Sequence, residues 1–443
     1  MSPVEIGALS VVAIVVLIYL GLYIPVALGV VSFVSIWFIS GKPILALNFL
    51  KVAVSDGVTE YEFATIPLFT AMGLLVSKAG LGADIYEVMN QTFRRVRGGV
   101  GMATVGANAV FAAVTGSSVA SASVFTRISV PEMLKFDYNP RFAVGVVAGS
   151  SVLGMIIPPS AMLIIYAFVA ELSVGDMFLA GIVPGLMLAS AYIAAIAAMA
   201  RFFPGFVGGR DGAAGAESGS GATRLLSTSQ IAGKTLPIIG LIVIVLGGIY
   251  TGWLTPVEAG AAGAAVALII AVVRRRMSWQ GFWQALIETG HITASILFLI
   301  TTASLYSRML GFAGLPNELG AILAGNDLGF FAIMVIYVAL MLFLGTLLDT
   351  ASIILIVVPL FLSIIEPMGL SLVWFGIVTV IGAEIGLLTP PLGISCFVIK
   401  AALNDPRIAL KDVFLGALPF AVVMLGVLVL IIRFPALSLW ILG

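Results

Sequence analysis

Long apolar runs, broken at recurring places by short polar or glycine- and proline-rich stretches, dominate the chain. A helix crossing a bilayer takes ~20 apolar residues. Ten segments meet or approach that length: 4–20, 22–39, 62–79, 140–170 and 177–203, then 232–250, 253–273, 291–313, 371–402 and 410–435. Segments 140–170 and 371–402 exceed one crossing and contain Pro158-Pro159 and Pro390-Pro391. Both are predicted to be broken helices, because proline has no amide hydrogen to give. The stretches 99–130 and 328–363 are apolar but carry glycine and polar residues near their middles, which predicts helical hairpins. Segments 43–57 and 80–97 read as amphipathic arms along opposite membrane faces. Gly205–Ser229, rich in Gly, Ala and Ser, reads as a flexible linker. No basic residue precedes the first apolar run, so Val4–Leu20 reads as a retained span rather than a cleaved leader.

Composition narrows the class. Of 443 residues 61% are hydrophobic and 9% charged, and the mean hydropathy is +1.20, against ~25% charged in soluble domains. The expected fold is an all-α polytopic membrane protein. Net charge is zero, so nothing favours nucleic acid. Cys396 is the one cysteine and His291 the one histidine, which excludes an internal disulfide and the common zinc sites. His291 reads as the end of a span. No phosphate-binding Gly-x-x-x-x-Gly-Lys loop is present and no organic cofactor is expected.

The two halves repeat. Pro25 pairs with Pro256, Gly116 with Gly345, Pro131 with Pro359, Pro158 with Pro390 and Pro184 with Pro419, all at nearly one spacing. This divides the chain into a first repeat over 1–203, a linker over 204–231 and a second repeat over 232–443. Basic residues cluster at Arg94, Arg95, Arg97, Lys135 and Arg141 in the first repeat, and at Arg274, Arg275, Arg276, Lys400, Arg407 and Lys411 in the second. These are not equivalent loops. Because cytoplasmic loops collect Lys and Arg, the bias swaps sides between halves and each repeat needs an odd number of crossings. Five fit if 99–130 and 328–363 are re-entrant hairpins. The linker is then cytoplasmic and both termini are periplasmic. Inverted repeats with broken helices mark secondary transporters.

Backbone at membrane depth must satisfy its own hydrogen bonds unless it lines a cavity or is buried in protein. Four interruptions therefore stand out. Thr115, Gly116, Ser117 and Ser118 form one hairpin tip, paired with Gly149, Ser150, Ser151 and Gly154 ahead of Pro158-Pro159. Gly345, Thr346, Asp349 and Thr350 form the other, paired with Gly382, Thr389 and Pro390. Freed carbonyls and hydroxyls suit an alkali cation such as Na⁺, and half-helix N-termini suit an anionic substrate between the two sites. Small-residue helix packing is the competing role for each Gly, Ser or Thr. Asp349 in apolar surroundings is either functional or the cap of a helix starting near Ser352. Glu384 poses the same question, with a wet gap between helices as its alternative. Arg308 is a candidate partner for a substrate carboxylate, or else snorkels as its counterpart Lys78 would. Ser118, Ser160 and Thr350 are candidate substrate-contacting hydroxyls. Glu258 after Thr255-Pro256 reads as completing a helix N-terminus.

At these residues the chain resembles the large membrane subunit of the tripartite ATP-independent periplasmic (TRAP) transporters. The resemblance rests on Gly116–Ser118, Ile128–Met133, Gly154–Ser160, Ala180–Gly185, Thr255–Ala259, the Gly345…Asp349 tip and Leu388–Gly393. One departure is Ala383-Glu384, where the family pattern leads one to expect an asparagine-like residue. The resemblance implies an elevator mechanism in the bacterial inner membrane, sodium coupling, and a small organic acid delivered by a periplasmic binding protein. It also implies a small four-helix membrane subunit as a separate chain. A stand-alone sodium–dicarboxylate carrier is the alternative within transport. A membrane-embedded hydrolase built on Asp349 and Glu384 is the alternative of another class.

Overall fold

The computed structural model describes residues 1–209, 225–325, 329–391, 393–403 and 405–442. Most of the linker, with Arg210 and Arg224, lies outside them, so the reading of that stretch as flexible does too. Among the described residues every element is a helix and none is a strand.

The first half begins with α1 (Pro3–Tyr19), α2 (Ile24–Ser40), α3 (Pro43–Thr59), α4 (Thr65–Lys78) and α5 (Leu81–Phe93). Then come α6 (Gly99–Thr115), α7 (Ser118–Lys135), α8 (Pro140–Ser151), the short α9 (Leu153–Ile156), α10 (Ala161–Val169) and α11 (Val174–Phe202). The second half contains α12 (Thr228–Tyr250), α13 (Pro256–Val273), α14 (Trp279–Ala313), α15 (Leu315–Gly325) and α16 (Phe330–Gly345). It closes with α17 (Thr350–Ile365), α18 (Leu372–Gly386), α19 (Ile394–Leu403) and α20 (Leu410–Arg433).

Local sequence sets these boundaries. Ser2 and Glu5, Ser227 and Gln230, and Thr255 and Glu258 form reciprocal capping boxes at the starts of α1, α12 and α13, each pair satisfying two otherwise orphaned amides. The part expected of Glu258 is the one it plays: its carboxylate accepts the Thr255 amide at 2.8 Å. Proline fills the first turn of α2, α3, α8 and α13, where a missing N–H costs nothing.

Five helices, α11, α12, α13, α14 and α20, are long and apolar enough to cross a membrane by length and composition. Two bent pairs add to them: α4 with α5, turning 63°, and α8–α9 with α10, turning 45°. The apolar stretches read as hairpins consist of α6 with α7 and α16 with α17, which pack on each other. Their arms have 16 to 18 residues, short of the ~20 that a crossing needs.

One expected boundary needs correction. The segment 291–313 is only the later part of α14, a single 35-residue helix that starts at Trp279. Ser278 caps it by accepting the Gly281 amide at 3.0 Å, and no Pro follows before Gly314. His291 accordingly lies inside the helix rather than at its end. Trp279, Phe282 and Trp283 stack on one another at the exposed start, and Trp279 is 72% exposed.

The helices gather in two groups. α1, α2, α3, α4, α13 and α14 pack together, while α8, α11, α18 and α20 surround α6, α9 and α10. In the second group α8 packs on α20, and the related α18 packs on α11. Gly145 and Gly416 let α8 and α20 touch backbone to backbone, since a Cβ on either would collide with the other's chain.

Arm α5 is tied down by charge. Asp84, 3% exposed, receives Lys234 at 2.7 Å and pairs with Arg274. Lys234 also reaches Glu87 at 2.9 Å, and Arg274 donates to the Gly233 carbonyl at 2.8 Å. Truncating one partner of a buried ion pair strands the others. Asp84→Ala should therefore lower stability by about 3 kcal/mol, read as a drop in the unfolding midpoint of the detergent-solubilised protein.

Candidate functional site

The first hairpin tip is built by a helix end that cannot continue. Thr115 bonds back to the Phe111 carbonyl at 2.9 Å, and Gly116 turns left-handed with φ +60°. Ser117 then caps α7 by accepting the Ala120 amide at 3.3 Å, and Ser118 is buried. Against this tip lies the break between α9 and α10. A Cβ on Gly154 would fall 2.7 Å from the Ser117 carbonyl oxygen, and the Ala161 amide donates to the Gly116 carbonyl at 3.5 Å. Ser160 caps α10 and donates to the Met155 carbonyl. Glycine is required at Gly154 because two backbones meet there.

The second tip repeats the arrangement. A Cβ on Gly345 would lie 2.7 Å from the Gly386 Cα, so tip and break again meet through bare backbone. Asp349 caps α17, accepting the Ser352 amide at 3.2 Å and the Ser352 hydroxyl. Thr350 donates to Glu384 Oε1 at 2.7 Å, which joins the tip to α18 directly. Thr389 and Thr346 bond back to the Gly386 and Phe343 carbonyls, both at 2.8 Å. The Pro158-Pro159 and Pro390-Pro391 bonds are both cis.

One pair of bonds ties each hairpin to its broken helix and was not singled out from the sequence. Asn108 Nδ2 on α6 donates to Ser150 Oγ on α8 at 2.6 Å. Tyr337 on α16 and Thr379 on α18 share a hydrogen bond of 2.7 Å. Each pair is 42 residues apart, and one shift of the numbering superimposes them. The signal that reveals them is a polar pair at equal separation within otherwise apolar helices.

The first tip opens on a cavity of about 470 Å³ between the hairpin, α4 and α14. Thr115, Ser117, Pro159, Thr70 and Glu288 are among its lining residues. The N-termini of α7 and α10 both border it, and two such ends supply partial positive charge toward an anion. Ser118 and Ser160 sit beside it without lining it, and Thr350 belongs to the other tip. Arg308 is exposed on α14, donates to Ser304 at 3.4 Å and does not line the cavity.

The donor set fits an alkali cation. Among the described residues no three His, Cys, Asp or Glu gather in metal-binding geometry. The sites consist mainly of neutral hydroxyl and carbonyl oxygens, the set that holds Na⁺ loosely enough to release it. Ser150 and Ser151 spend their protons on the Val146 and Ala148 carbonyls, leaving the oxygens as acceptors, that of Ser150 already accepting from Asn108. Glu384 is 0% exposed and its Oε2 has no hydrogen-bond partner. A buried carboxyl oxygen left unpaired is costly. Glu384, weighed from the sequence only beside Asp349, thus emerges as the second site's sharpest feature.

Comparison with known proteins agrees with this architecture. Residues 11–437 match the family model described as "Tripartite ATP-independent periplasmic transporter, DctM component". The chain is 30% identical over 393 residues to the C4-dicarboxylate TRAP transporter large permease protein DctM of Pseudomonas aeruginosa, covering 88% of each. To the DctM protein of Rhodobacter capsulatus it is also 30% identical, over 95% of this chain and 94% of the relative. In fold it resembles the YdaH transporter of Alcanivorax borkumensis, with a TM-score of 0.64 and 14% identity over 89% of each chain. The relatives are transporter permeases, which sets aside the hydrolase reading of Asp349 and Glu384. The protein is a multi-pass membrane protein that belongs to the DctM, or large permease, family of TRAP transporters.

Proposed function

We propose that the chain performs sodium-coupled uptake of a small organic acid, of the C4-dicarboxylate type, across the bacterial inner membrane. The observation that carries this reading is the pair of tip-and-break sites, each closed by glycine backbone and each braced by a polar bond across 42 residues. Two like sites of this kind, with reciprocal packing of α8 on α20 and α18 on α11, support inverted repeats over 1–203 and 232–443 with re-entrant hairpins. The linker then faces the cytoplasm and both termini face the periplasm.

Each repeat offers one Na⁺ site. Ser117, Ser118 and the Gly149–Gly154 stretch serve the first, and Gly345, Asp349, Thr350 and the Gly382–Pro390 stretch serve the second. The substrate binds at the cavity beside the first tip, its carboxylate facing the N-termini of α7 and α10. The α6–α11 and α16–α20 group moves as an elevator against the α1–α4 and α13–α14 scaffold. A periplasmic binding protein delivers the acid, and a small membrane subunit completes the complex. Two Na⁺ with one dicarboxylate dianion move no net charge, so the two ion gradients alone drive uptake. At tenfold ion gradients this supplies about 3 kcal/mol, enough for roughly hundredfold uptake without ATP.

Proteoliposome uptake of a radiolabelled C4-dicarboxylate tests the reading. An inward Na⁺ gradient with the binding protein present should raise initial uptake at least tenfold over an equal K⁺ gradient, and equal rates would refute sodium coupling. Full uptake without a binding protein would favour the stand-alone carrier. Gly154→Val and Gly386→Val force a branched side chain between tip and break. Each should cut uptake at least tenfold while the protein still reaches the membrane in normal amount, checked by transport assay and immunoblot.

A further inference from the structure

The two sites are not electrically alike. The stretch Gly149–Gly154 opposite the first tip contains no charged residue, whereas the equivalent stretch of α18 contains Glu384. Glu384 Oε1 accepts the Thr350 hydroxyl at 2.7 Å, which fixes the carboxylate against the second tip. Its Oε2 has no partner, and no cationic side chain pairs with it among the described residues. The titratable groups that face it are Asp349 and, from α11, Tyr192, whose hydroxyl also lacks a partner. Asp349 differs, because each of its oxygens already accepts a hydrogen bond from Ser352 at the start of α17. The unspent acceptor at this site therefore belongs to Glu384.

We propose that Glu384 Oε2 is the anionic ligand of the second cation site, so that one site holds its ion with a carboxylate and the other with neutral oxygens alone. This rests on the sodium reading above. It gives the two sites unequal affinity.

Thermal unfolding of the full chain in detergent tests the assignment, with Na⁺ replacing choline at constant ionic strength. An ion bound only by the folded state stabilises it by RT ln(1 + [Na⁺]/Kd), so the slope of stability against ln[Na⁺] at high Na⁺ counts bound ions. Glu384→Gln should lower that slope by one ion, halving it where the parent binds two. Glu384→Asp keeps the charge on a shorter stem, and should keep the slope while moving the curve to at least tenfold higher Na⁺. An unchanged slope in Glu384→Gln overturns the assignment and leaves sodium coupling intact. A parent slope of zero overturns both. If Glu384→Gln does not fold, a Glu384→Asp curve that superimposes on the parent's overturns the assignment.

Discussion

The rest of the structure depends on one constraint: a polypeptide in hydrocarbon has no water to satisfy its amides and carbonyls. Every place where a helix stops at depth must be covered by other protein. Here the covers are the stops themselves. The tip after α6 meets the break between α9 and α10, and the tip after α16 meets the break after α18. Glycine at Gly154, Gly345 and Gly386 lets the backbones close on each other, and polar side chains brace the contact from within. The same oxygens that must be shielded from lipid are those of the proposed ion sites, so structural need and the proposed chemistry coincide.

Around these sites the remaining helices divide their labour. The 35-residue α14 runs the length of the first group, too long for the bilayer alone, with an aromatic cluster at its exposed start. Tryptophan is common at the membrane–water boundary, where an apolar body and a polar N–H are both accommodated. Arm α5 leaves α4 at 63° and is held through Asp84 to Lys234 and Arg274. Those two basic residues come from the other half of the chain, so a single buried carboxylate couples the two halves.

The two acidic residues near the second tip show how context divides like chemistry. Asp349 is consumed by capping α17, the competing role that its position before Ser352 had already suggested. Glu384 is held by Thr350 through one oxygen only. From sequence Asp349 is the more conspicuous of the two, because it sits in a recognisable tip. In space Glu384 is the one with an oxygen to spare.

Much of this protein is fixed by local physics and was legible along the chain. Apolar run lengths, proline and glycine punctuation and capping pairs such as Thr255 with Glu258 act within a few residues, so they specify helices, breaks and tips without knowledge of the rest. The start of α14 escaped because its first turns are polar and aromatic, and nothing local distinguishes an interfacial turn from a loop. The pairing of each tip with its own break was legible from the repeat, whereas that Arg308 does not line the cavity and that Glu384 Oε2 has no hydrogen-bond partner were decided only by tertiary packing. Such partners are tens to hundreds of residues apart, and the cost of burying a polar atom depends on what surrounds it rather than on its neighbours in sequence.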